Sequence, residues 1–261
     1  MVKSITNKGI LSERDGFVFI ITLKQPEKRN VLSLEKLLIL SDEIEKFSKD
    51  STLRVLVIQA EGPVFSAGHD LHEINDGASE DHLKLFDQCV KTMEQIRSTP
   101  KPVIASVDGL ATAAGCQLVA TCDIAVASSN SQFATPGVNI GLFCTMPGVA
   151  LSRAIPKKKA LDMMLTGDPI SAEEAKSLGL ISRIVPKTDL KAETNFLAHQ
   201  IAKSSPSVIS MGKEAFYKQI ELDIEKAYDF AKHEMVKHLK HPDAKEGISA
   251  FINKRRPNWT N

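Results

Sequence analysis

The stretch KPVIASVDGLATAAGCQLVATCDIAVAS, residues 101–128, joins two apolar strands through a glycine turn and a helix of small residues. VIASV is apolar on both alternating sets of positions, which is typical of a strand covered on both faces of its sheet. DGLATAAGCQLVATCD predicts a turn and then a helix, and IAVAS a second short strand. This order of strand, helix and strand predicts an α/β core.

The same pattern continues toward the N terminus. GFVFIITL (16–23) and RVLVIQA (54–60) predict two further buried strands. Between them a helix is predicted after Ser33, a good N-cap residue, because apolar residues recur near the helical period at Leu37, Leu40, Ile44 and Phe47. A longer amphipathic helix, ending at STPKP, is predicted by Leu83, Phe86, Val90, Met93 and Ile96.

The last third of the chain is predicted to be helical. SAEEAKSLG predicts a helix of about two turns, with Ser171 as N-cap, Glu174 as capping-box partner and Gly179 as the stop. Beyond Lys187, helices are predicted over Leu190–Lys203, Ser207–Gln219, Leu222–Leu239 and Lys245–Lys254. We therefore expect all strands in the first two thirds, followed by a helical tail that packs on its own core or on another subunit.

The composition is that of an ordinary globular protein and argues against several classes of partner. Of 261 residues, 43% are hydrophobic, and 33 Lys plus Arg balance 32 Asp plus Glu. No net field attracts nucleic acid or an anionic membrane, and no apolar stretch approaches the roughly 20 residues that span a bilayer. The first 16 residues lack the apolar segment of a secretory signal, so we expect a cytoplasmic protein, with the mitochondrial matrix as the alternative.

Neither the cysteines nor the histidines indicate a metal site. Two H-x-x-H pairs occur, at 69–72 and 238–241, but without further ligands in order they do not predict zinc binding. Four cysteines follow no metal-binding spacing and are expected to be reduced thiols: Cys89, Cys116, Cys122 and Cys144. We expect no bound metal.

Two turns of small residues favour a backbone ligand site. FSAGHDL (65–71) follows a buried strand, and its small side chains let another molecule approach main-chain N–H groups. ATAAG (111–115) stands where a helix should begin, and free N–H groups at a helix start favour an oxyanion. Together the two turns resemble an oxyanion hole. Alternatively, ATAAG serves only close helix packing and FSAG only a turn.

In this order, EKRN, FSAGHDL, the stretch 101–128, FATPGVNIGL and EGISAFINKRRPNW resemble the enoyl-CoA hydratase/isomerase (crotonase) superfamily over nearly the whole chain. Within it the chain is similar to enoyl-CoA hydratase domain-containing proteins. The resemblance implies an α/β fold, a crotonase-like spiral of ββα units that binds acyl-CoA over residues 1–200. It also implies a C-terminal helical region over 201–261 that forms homotrimers, often paired into homohexamers.

The resemblance also implies how the substrate is held. The thioester oxygen would receive N–H groups from Ala67 and Ala114, and Lys28 and Arg29 would lie near the CoA adenine and phosphates. Phe251 and Lys254 match residues that reach the CoA of a neighbouring subunit. Coenzyme A is part of the substrate, so no separate cofactor is expected.

Ala67, Asp70 and Leu71 are also assigned to the CoA-binding surface. For Asp70 we prefer another role, since a carboxylate directly before LHEIN would cap a helical turn and favour its positive end.

The chain departs from the hydratase pattern at two positions. Hydratases of the family add water with two glutamates, and the resemblance aligns these with Gln117 and Gly137. A glutamine transfers no proton near neutral pH and a glycine has no side chain, so general acid and base groups worth about 10² to 10⁴ in rate each are absent. We therefore expect weak or altered hydratase activity.

His69 and Cys144 are candidate replacements. FSAGHDLHEI resembles the stretch of methylmalonyl-CoA decarboxylase whose histidine lies beside the substrate carboxylate, and Cys144 stands where that enzyme has a tyrosine. The imidazole is a credible proton donor to an enolate, and the thiol a weaker one. Three functions stay open: an altered hydratase-family enzyme, a decarboxylase or thioesterase using His69, and a non-catalytic acyl-CoA binder.

Overall fold

The computed structural model describes residues 5–260, and within them the strands form two sheets. The strands are β1 (Ile5–Asn7), β2 (Ile10–Asp15), β3 (Val18–Leu23), β4 (Val55–Ala60), β5 (Val64–Ser66), β6 (Val103–Val107), β7 (Leu110–Thr112), β8 (Ile124–Ser128), β9 (Gln132–Ala134), β10 (Ile170–Ser171) and β11 (Arg183–Val185). The larger sheet has the order β1-β2-β3-β4-β6-β8-β11 and the smaller one β10-β9-β7-β5. From β3 to β11 the larger sheet is parallel, as expected for its apolar strands.

From β4 to β9 successive strands alternate between the two sheets. β4, β6 and β8 belong to the larger sheet, and each is followed by a short strand of the smaller sheet, β5, β7 and β9. A helical segment then returns the chain to the larger sheet. This repetition is the spiral of ββα units that the family resemblance implies. It places the loops after β5 and β7 side by side, because those two strands pair in parallel.

The helices are α1 (Leu34–Lys49), α2 (Leu71–Asp76), α3 (Ser79–Ser98), α4 (Ala114–Thr121), α5 (Thr145–Ala154), α6 (Lys157–Thr166), α7 (Ala172–Leu178), α8 (Leu190–Ala202), α9 (Pro206–Gln219), α10 (Ile224–Leu239) and α11 (Pro242–Ile252). The predicted N-caps are confirmed. Ser33 Oγ accepts the N–H of Lys36 (3.2 Å), and Ser171 Oγ that of Glu174 (3.1 Å). Gly179 ends α7 in the left-handed conformation (φ 89°).

The larger sheet is covered on both faces. On one face Val18, Val55, Val57, Ile104 and Val126 pack with the apolar side of α8. The other face contributes to the main core, together with α1, α3 and the smaller sheet. The apolar residues of VIASV therefore point to two different cores, which explains why the strand shows no polar alternation.

One expectation about strand placement is wrong. β11 lies in the last third of the chain and pairs in parallel with β8, so strands are not confined to the first two thirds. The segment Arg183–Val185 is only half-buried at the edge of the sheet, and three residues carry too little periodicity to predict a strand.

The C-terminal helices are anchored to the core by a buried cluster. The Lys213 ammonium on α9 donates to the carbonyl oxygens of Ile96 and Lys101 and to Asp123 (2.8 Å). The Tyr217 hydroxyl donates to the second oxygen of Asp123 (2.8 Å). Outside this anchor, α9–α11 present many exposed apolar side chains. Among the helices of residues 5–260, none is long and apolar enough to cross a membrane.

Candidate functional site

The two small-residue turns of the sequence touch each other. A Cβ atom on Gly68, whose φ is +87°, would lie 2.9 Å from the Ala113 Cβ and 3.2 Å from the Ala114 nitrogen. A Cβ on Gly115 would lie only 2.4 Å from the carbonyl oxygen of Ser66. No larger residue fits at either glycine without moving the backbone. The start of α4 and the turn after β5 therefore form one continuous surface.

The Ala67 amide is not available to a ligand in this arrangement. Its N–H donates to the carbonyl oxygen of Arg29 (3.0 Å) and so holds the turn against the segment before α1. The assignment of Ala67 as an oxyanion donor is therefore corrected. The sequence could not reveal this bond, because its acceptor lies 38 positions earlier in the chain and meets Ala67 only in the folded protein.

Other N–H groups of the two turns remain free. Within residues 5–260, the amides of His69 and Ala114 donate to no carbonyl oxygen. Ala114 is the first residue of α4, whose first N–H groups have no partner within the helix and carry partial positive charge. His69 follows Gly68, which lies against Ala114. His69 and Ala114 are thus two donors with unfilled hydrogen-bonding capacity that lie on either side of the contact between the turns.

Ala113 holds the backbone at the helix start in an unusual conformation. Its φ of 49° and ψ of −119° belong to a region that glycine normally occupies. Such outliers are retained where the surrounding structure fixes them, often at functional sites. Here the N–H of Ala113 donates to Ala134 (2.9 Å), which fixes the peptide that precedes the free amide of Ala114. Alanine gives no sequence signal for this conformation.

The His69 imidazole is set up as a base. Its Nδ1 lies 3.1 Å from the carbonyl oxygen of Leu32, and because a carbonyl only accepts, Nδ1 carries the proton. Burial lowers the pKa of His69, an effect that the bond to Leu32 opposes, so the ring is neutral at neutral pH. Nε2 is then a proton acceptor. The role of His69 as a proton donor stays a prediction, and it requires Nε2 to gain a proton first.

Two buried polar side chains beside the free amides lack partners. Gln117 lies one turn beyond Ala114, and helical side chains lean toward the N-terminal end of their helix. Its Oε1 has no partner within residues 5–260, and neither has Oγ1 of Thr135, which follows Ala134. Thr135 is fully buried. Each unpaired group costs about 1–3 kcal/mol unless a ligand or water pairs with it.

Cys144 fills the space beside Gly137. The Gly137 N–H donates to the Cys144 sulfur (3.3 Å), and burial raises the pKa of that thiol, so the thiol stays protonated. A Cβ on Gly137 would lie 2.9 Å from this sulfur and 2.6 Å from the Leu142 carbonyl oxygen. Cys144 therefore packs beside the position that the resemblance aligns with a glutamate, and its catalytic role stays a prediction.

Asn30 positions the loop that carries Lys28 and Arg29. It is fully buried, its Oδ1 accepts the N–H of Gln25 (2.8 Å), and its Nδ2 donates to the carbonyls of Glu61 (2.9 Å) and Val64 (2.8 Å). Lys28 and Arg29 are exposed beside it. The sequence pattern gives Asn30 no separate role. Its φ of 50° lies in the left-handed region, where asparagine is enriched, and this is a signal that could have identified it.

The remaining assigned residues fall into two places. Asp70 caps α2, since its Oδ1 accepts the N–H of His72 (3.0 Å), and Leu71 follows with an exposed side chain. This confirms the preferred role of Asp70. Phe251, which is 87% exposed, and Lys254 lie at the end of α11. α11 packs on α9 and α10, so within one chain these two residues are not brought to the free amides.

The described residues hold no ready metal ligand set. Across 5–260, no cluster of three or more His, Cys, Asp or Glu side chains is arranged to bind a metal ion. All four cysteines are free thiols. The paired turns bring together backbone donors, the imidazole of His69 and the uncharged side chains of Gln117 and Thr135.

Residues 13–261 match the family model of enoyl-CoA hydratase/isomerase. The chain is 52% identical over 249 residues to mouse enoyl-CoA hydratase domain-containing protein 3, mitochondrial, covering 95% of this chain and 83% of that protein. The crystal structure of the human protein of that name superposes with a TM-score of 0.94 at 50% identity, over 97% of this chain and 100% of the other. An enoyl-CoA hydratase from Mycobacterium smegmatis also gives 0.94, at 44% identity, over 97% and 99%. The chain belongs to the enoyl-CoA hydratase/isomerase family.

Proposed function

We propose that the protein binds acyl-CoA thioesters and stabilises an enolate or related oxyanion between the backbone N–H groups of His69 and Ala114. The observation that carries this proposal is that both amides are unpaired and lie on touching turns. Donors fixed in advance need no reorganisation when negative charge develops, and one such donor is worth about 10² to 10³ in rate. Family membership supports acyl-CoA metabolism as the setting.

Hydration should be slow in this protein. Gln117 and Gly137 stand where the resemblance implies the two glutamates, and neither can move a proton. Losing general acid and base catalysis at two positions removes about 10² to 10⁴ per group. Weak or altered hydratase activity follows, while binding and polarisation of the thioester remain.

A second candidate reaction is thioester hydrolysis with His69 as base. Nε2 of the neutral ring can take a proton from water, whose oxygen then attacks the thioester carbonyl carbon. The two N–H groups stabilise the resulting oxyanion. The C–S bond then breaks, giving the carboxylic acid and coenzyme A, with the proton passing to the thiolate. Decarboxylation of a malonyl-type thioester is the alternative that needs the oxyanion hole and no base.

A panel of acyl-CoA thioesters tests these hypotheses. The purified protein is incubated with crotonoyl-CoA, butanoyl-CoA and a malonyl-type thioester, and products are followed by mass spectrometry beside a family hydratase that has both glutamates. We expect binding of all three, slow hydration, and release of free CoA or CO₂ as the main turnover. Rapid hydration of crotonoyl-CoA would contradict the barrier argument, and no turnover at all would leave a non-catalytic binder.

His69→Ala distinguishes the contribution of the His69 backbone amide from that of its imidazole. The variant keeps the backbone N–H and should therefore keep acyl-CoA binding, whereas hydrolysis should fall by about 10² to 10⁴ because the base is gone. His72→Ala, an exposed histidine three residues later, is the matched control and should change neither. Equal rates in both variants would exclude the imidazole from the reaction.

The helical C-terminal region is proposed to form a homotrimer or homohexamer. Apolar side chains with 70% or more of their surface exposed cluster on α10 and α11: Ile224, Tyr228, Phe251 and Ile252. Exposed apolar surface of this kind is typical of subunit interfaces. The prediction that residues 201–261 form this region is tested by sedimentation of the wild type and of Phe251→Glu, which should shift toward monomer.

We propose the mitochondrial matrix as the location, in place of the cytoplasm. The support is that the mouse and human relatives carry the word mitochondrial in their names. Cell fractionation with antibodies against the native protein tests this.

A further inference from the structure

Lys36 is buried in the interior without a partner for its charge. It lies on the first turn of α1, is 2% exposed, and its Nζ has no hydrogen-bond acceptor within residues 5–260. A lysine ammonium has three donors and no acceptor, so all three are unused. Removing a charge from water without a partner is among the most unfavourable arrangements in a protein interior.

The other buried or half-buried lysines show what a paired arrangement looks like in this protein. Lys213 donates to two carbonyl oxygens and to Asp123. Lys101 donates to the carbonyl oxygens of Phe47 and Asp50, at 2.7 Å each. These two lysines hold elements together. Within residues 5–260, the Lys36 ammonium makes no hydrogen bond to another element, so a role in stabilising the fold does not account for its charge.

The charged groups that act on Lys36 lie around the proposed CoA site. They are Glu27 and Lys28, on the turn before α1, and Asp70, the N-cap of α2. α1 is tied to that corner by two bonds, from Leu32 N–H to the Gly68 carbonyl (2.7 Å) and from Leu34 N–H to the Glu73 carboxylate (3.0 Å). Lys36 thus lies where the CoA-binding turn, α1 and α2 meet.

The ammonium remains available as a charge at neutral pH. Burial lowers the pKa of Lys36 to about 8, with Lys28 adding to this and Glu27 and Asp70 opposing it. At pH 7 such a group is still about nine-tenths protonated. Proteins keep destabilising charged groups of this kind mainly at ligand-binding and catalytic sites.

We propose that Lys36 is a phosphate-binding residue of the CoA site, whose ammonium pairs with a phosphate of the bound ester behind the exposed Lys28 and Arg29. The proposal rests on the proposed function. A phosphate fits because it offers several acceptor oxygens and full negative charge to a compact cation. Because Nζ is buried, the side chain must turn outward to meet the ligand, and its four methylenes allow this without movement of α1.

Calorimetry with Lys36→Met tests the proposal, because methionine fills a similar volume without charge. The titrants are CoA, dephospho-CoA and pantetheine. We expect CoA to bind Lys36→Met at least about tenfold more weakly than wild type, as for loss of one charge-assisted bond. Pantetheine, which has no phosphate, should bind both proteins equally. The free variant should also unfold at a higher temperature, an effect opposite in sign to that on binding.

Dephospho-CoA identifies the phosphate. If it shows the same loss as CoA, Lys36 pairs with the diphosphate, and if it binds both proteins alike, Lys36 pairs with the 3′-phosphate. Either result supports the proposal. Lys49→Met, an exposed lysine on the same helix, is the matched control and should alter neither affinity nor unfolding temperature.

The proposal is overturned if Lys36→Met binds CoA as wild type does, because the lysine would then only fill space. Should Lys36→Met fail to fold, Lys36→Gln provides the same comparison with a polar neutral side chain. A wild-type protein that binds none of the three titrants would contradict the proposed function instead, so the two failures are distinguishable.

Discussion

The anchor of α9 and the paired turns at the start of α4 both bury polar groups, but they treat them in opposite ways. Around Asp123 every polar group has its partner: one oxygen accepts from Lys213 and from the Val103 N–H (2.7 Å), and the other from Tyr217. Beside Ala114, free amides, the side-chain Oε1 of Gln117 and the Thr135 hydroxyl have no partner within residues 5–260.

This difference separates stability from ligand binding. A saturated polar cluster fixes one arrangement of the chain, since losing any member leaves another buried and unpaired. An unsaturated cluster weakens the fold until something pairs with it. Removing an unpaired buried polar group should therefore stabilise the free protein, whereas removing a member of the saturated cluster should destabilise it, and the following experiments test that contrast.

The largest effect is expected for Lys213→Met. The substitution leaves the Asp123 carboxylate buried with its ion-pair partner removed, which costs about 3–5 kcal/mol. Urea unfolding of the wild type and the variant measures the difference in their free energy of unfolding. Lys218→Met, which removes an exposed i,i+4 pair with Glu214, is the control and should cost about 0.5 kcal/mol or less. Similar losses of unfolding free energy in both variants would mean that the ion pair of the anchor contributes no more to stability than an exposed pair.

Lys36→Met should change stability in the other direction. The pKa of Lys36 is about 8 in the folded protein against 10.5 for the ordinary group, so the unfolded chain binds more protons between these pH values. The gain from removing the charge is therefore largest below pH 8, at most about 3 kcal/mol. It fades as pH rises from 8 to 10.5.

Urea unfolding of wild type and Lys36→Met at pH 7 and pH 10 measures this difference. Glu27, Lys28 and Asp70 are the charged groups that act on the ammonium. A difference that does not shrink between the two pH values would show that the charge of Lys36 is not the cause.

Gly115→Ala tests the contact between the two turns. The new Cβ would overlap the Ser66 carbonyl oxygen, and overpacking of this kind costs about 1–3 kcal/mol. Acyl-CoA affinity should fall as well, because the two amides are pushed apart. Gly212→Ala on α9, where nothing lies within 4 Å, should instead gain about 0.5–1 kcal/mol. If both substitutions changed the free energy of unfolding in the same direction, a tight contact between Gly115 and the Ser66 carbonyl would be excluded.

The smallest effect is expected for Thr135→Val. The substitution removes a buried hydroxyl that has no partner and keeps the shape, so the free protein should gain about 1 kcal/mol. Thr194→Val is the matched control, because its hydroxyl pairs with Ser106 (3.0 Å) in the other core, and it should lose about 1 kcal/mol. A loss for both would mean that Thr135 has a partner, such as a bound water.

Long apolar segments could be predicted from the sequence, and the three-residue strands could not. GFVFIITL, RVLVIQA and VIASV became β3, β4 and β6, because burial on both faces leaves a continuous apolar run. β5, β7 and β9 span three residues each, too few to show an alternation, although they form the smaller sheet that brings the two turns together.

At the site, the segments could be predicted but not the donors. FSAGH contains several amides, and which one is free depends on the Arg29 carbonyl, which the chain brings back across the turn. Lys36 gave no signal either, because a lysine next to the apolar stripe of Leu37 and Leu40 is normally an exposed neighbour. In both cases the packing of the folded chain determines whether the group is free or buried, and the local sequence pattern does not.

The crowding around Gly137 has a consequence for protein engineering. Introducing a carboxylate there is not a single step, because any side chain at residue 137 would first collide with the Cys144 sulfur and the Leu142 carbonyl. The 137–144 segment would have to change before a glutamate could be accommodated. An attempt to install hydratase chemistry at this site would therefore have to redesign the whole segment, and a single point substitution would not be enough.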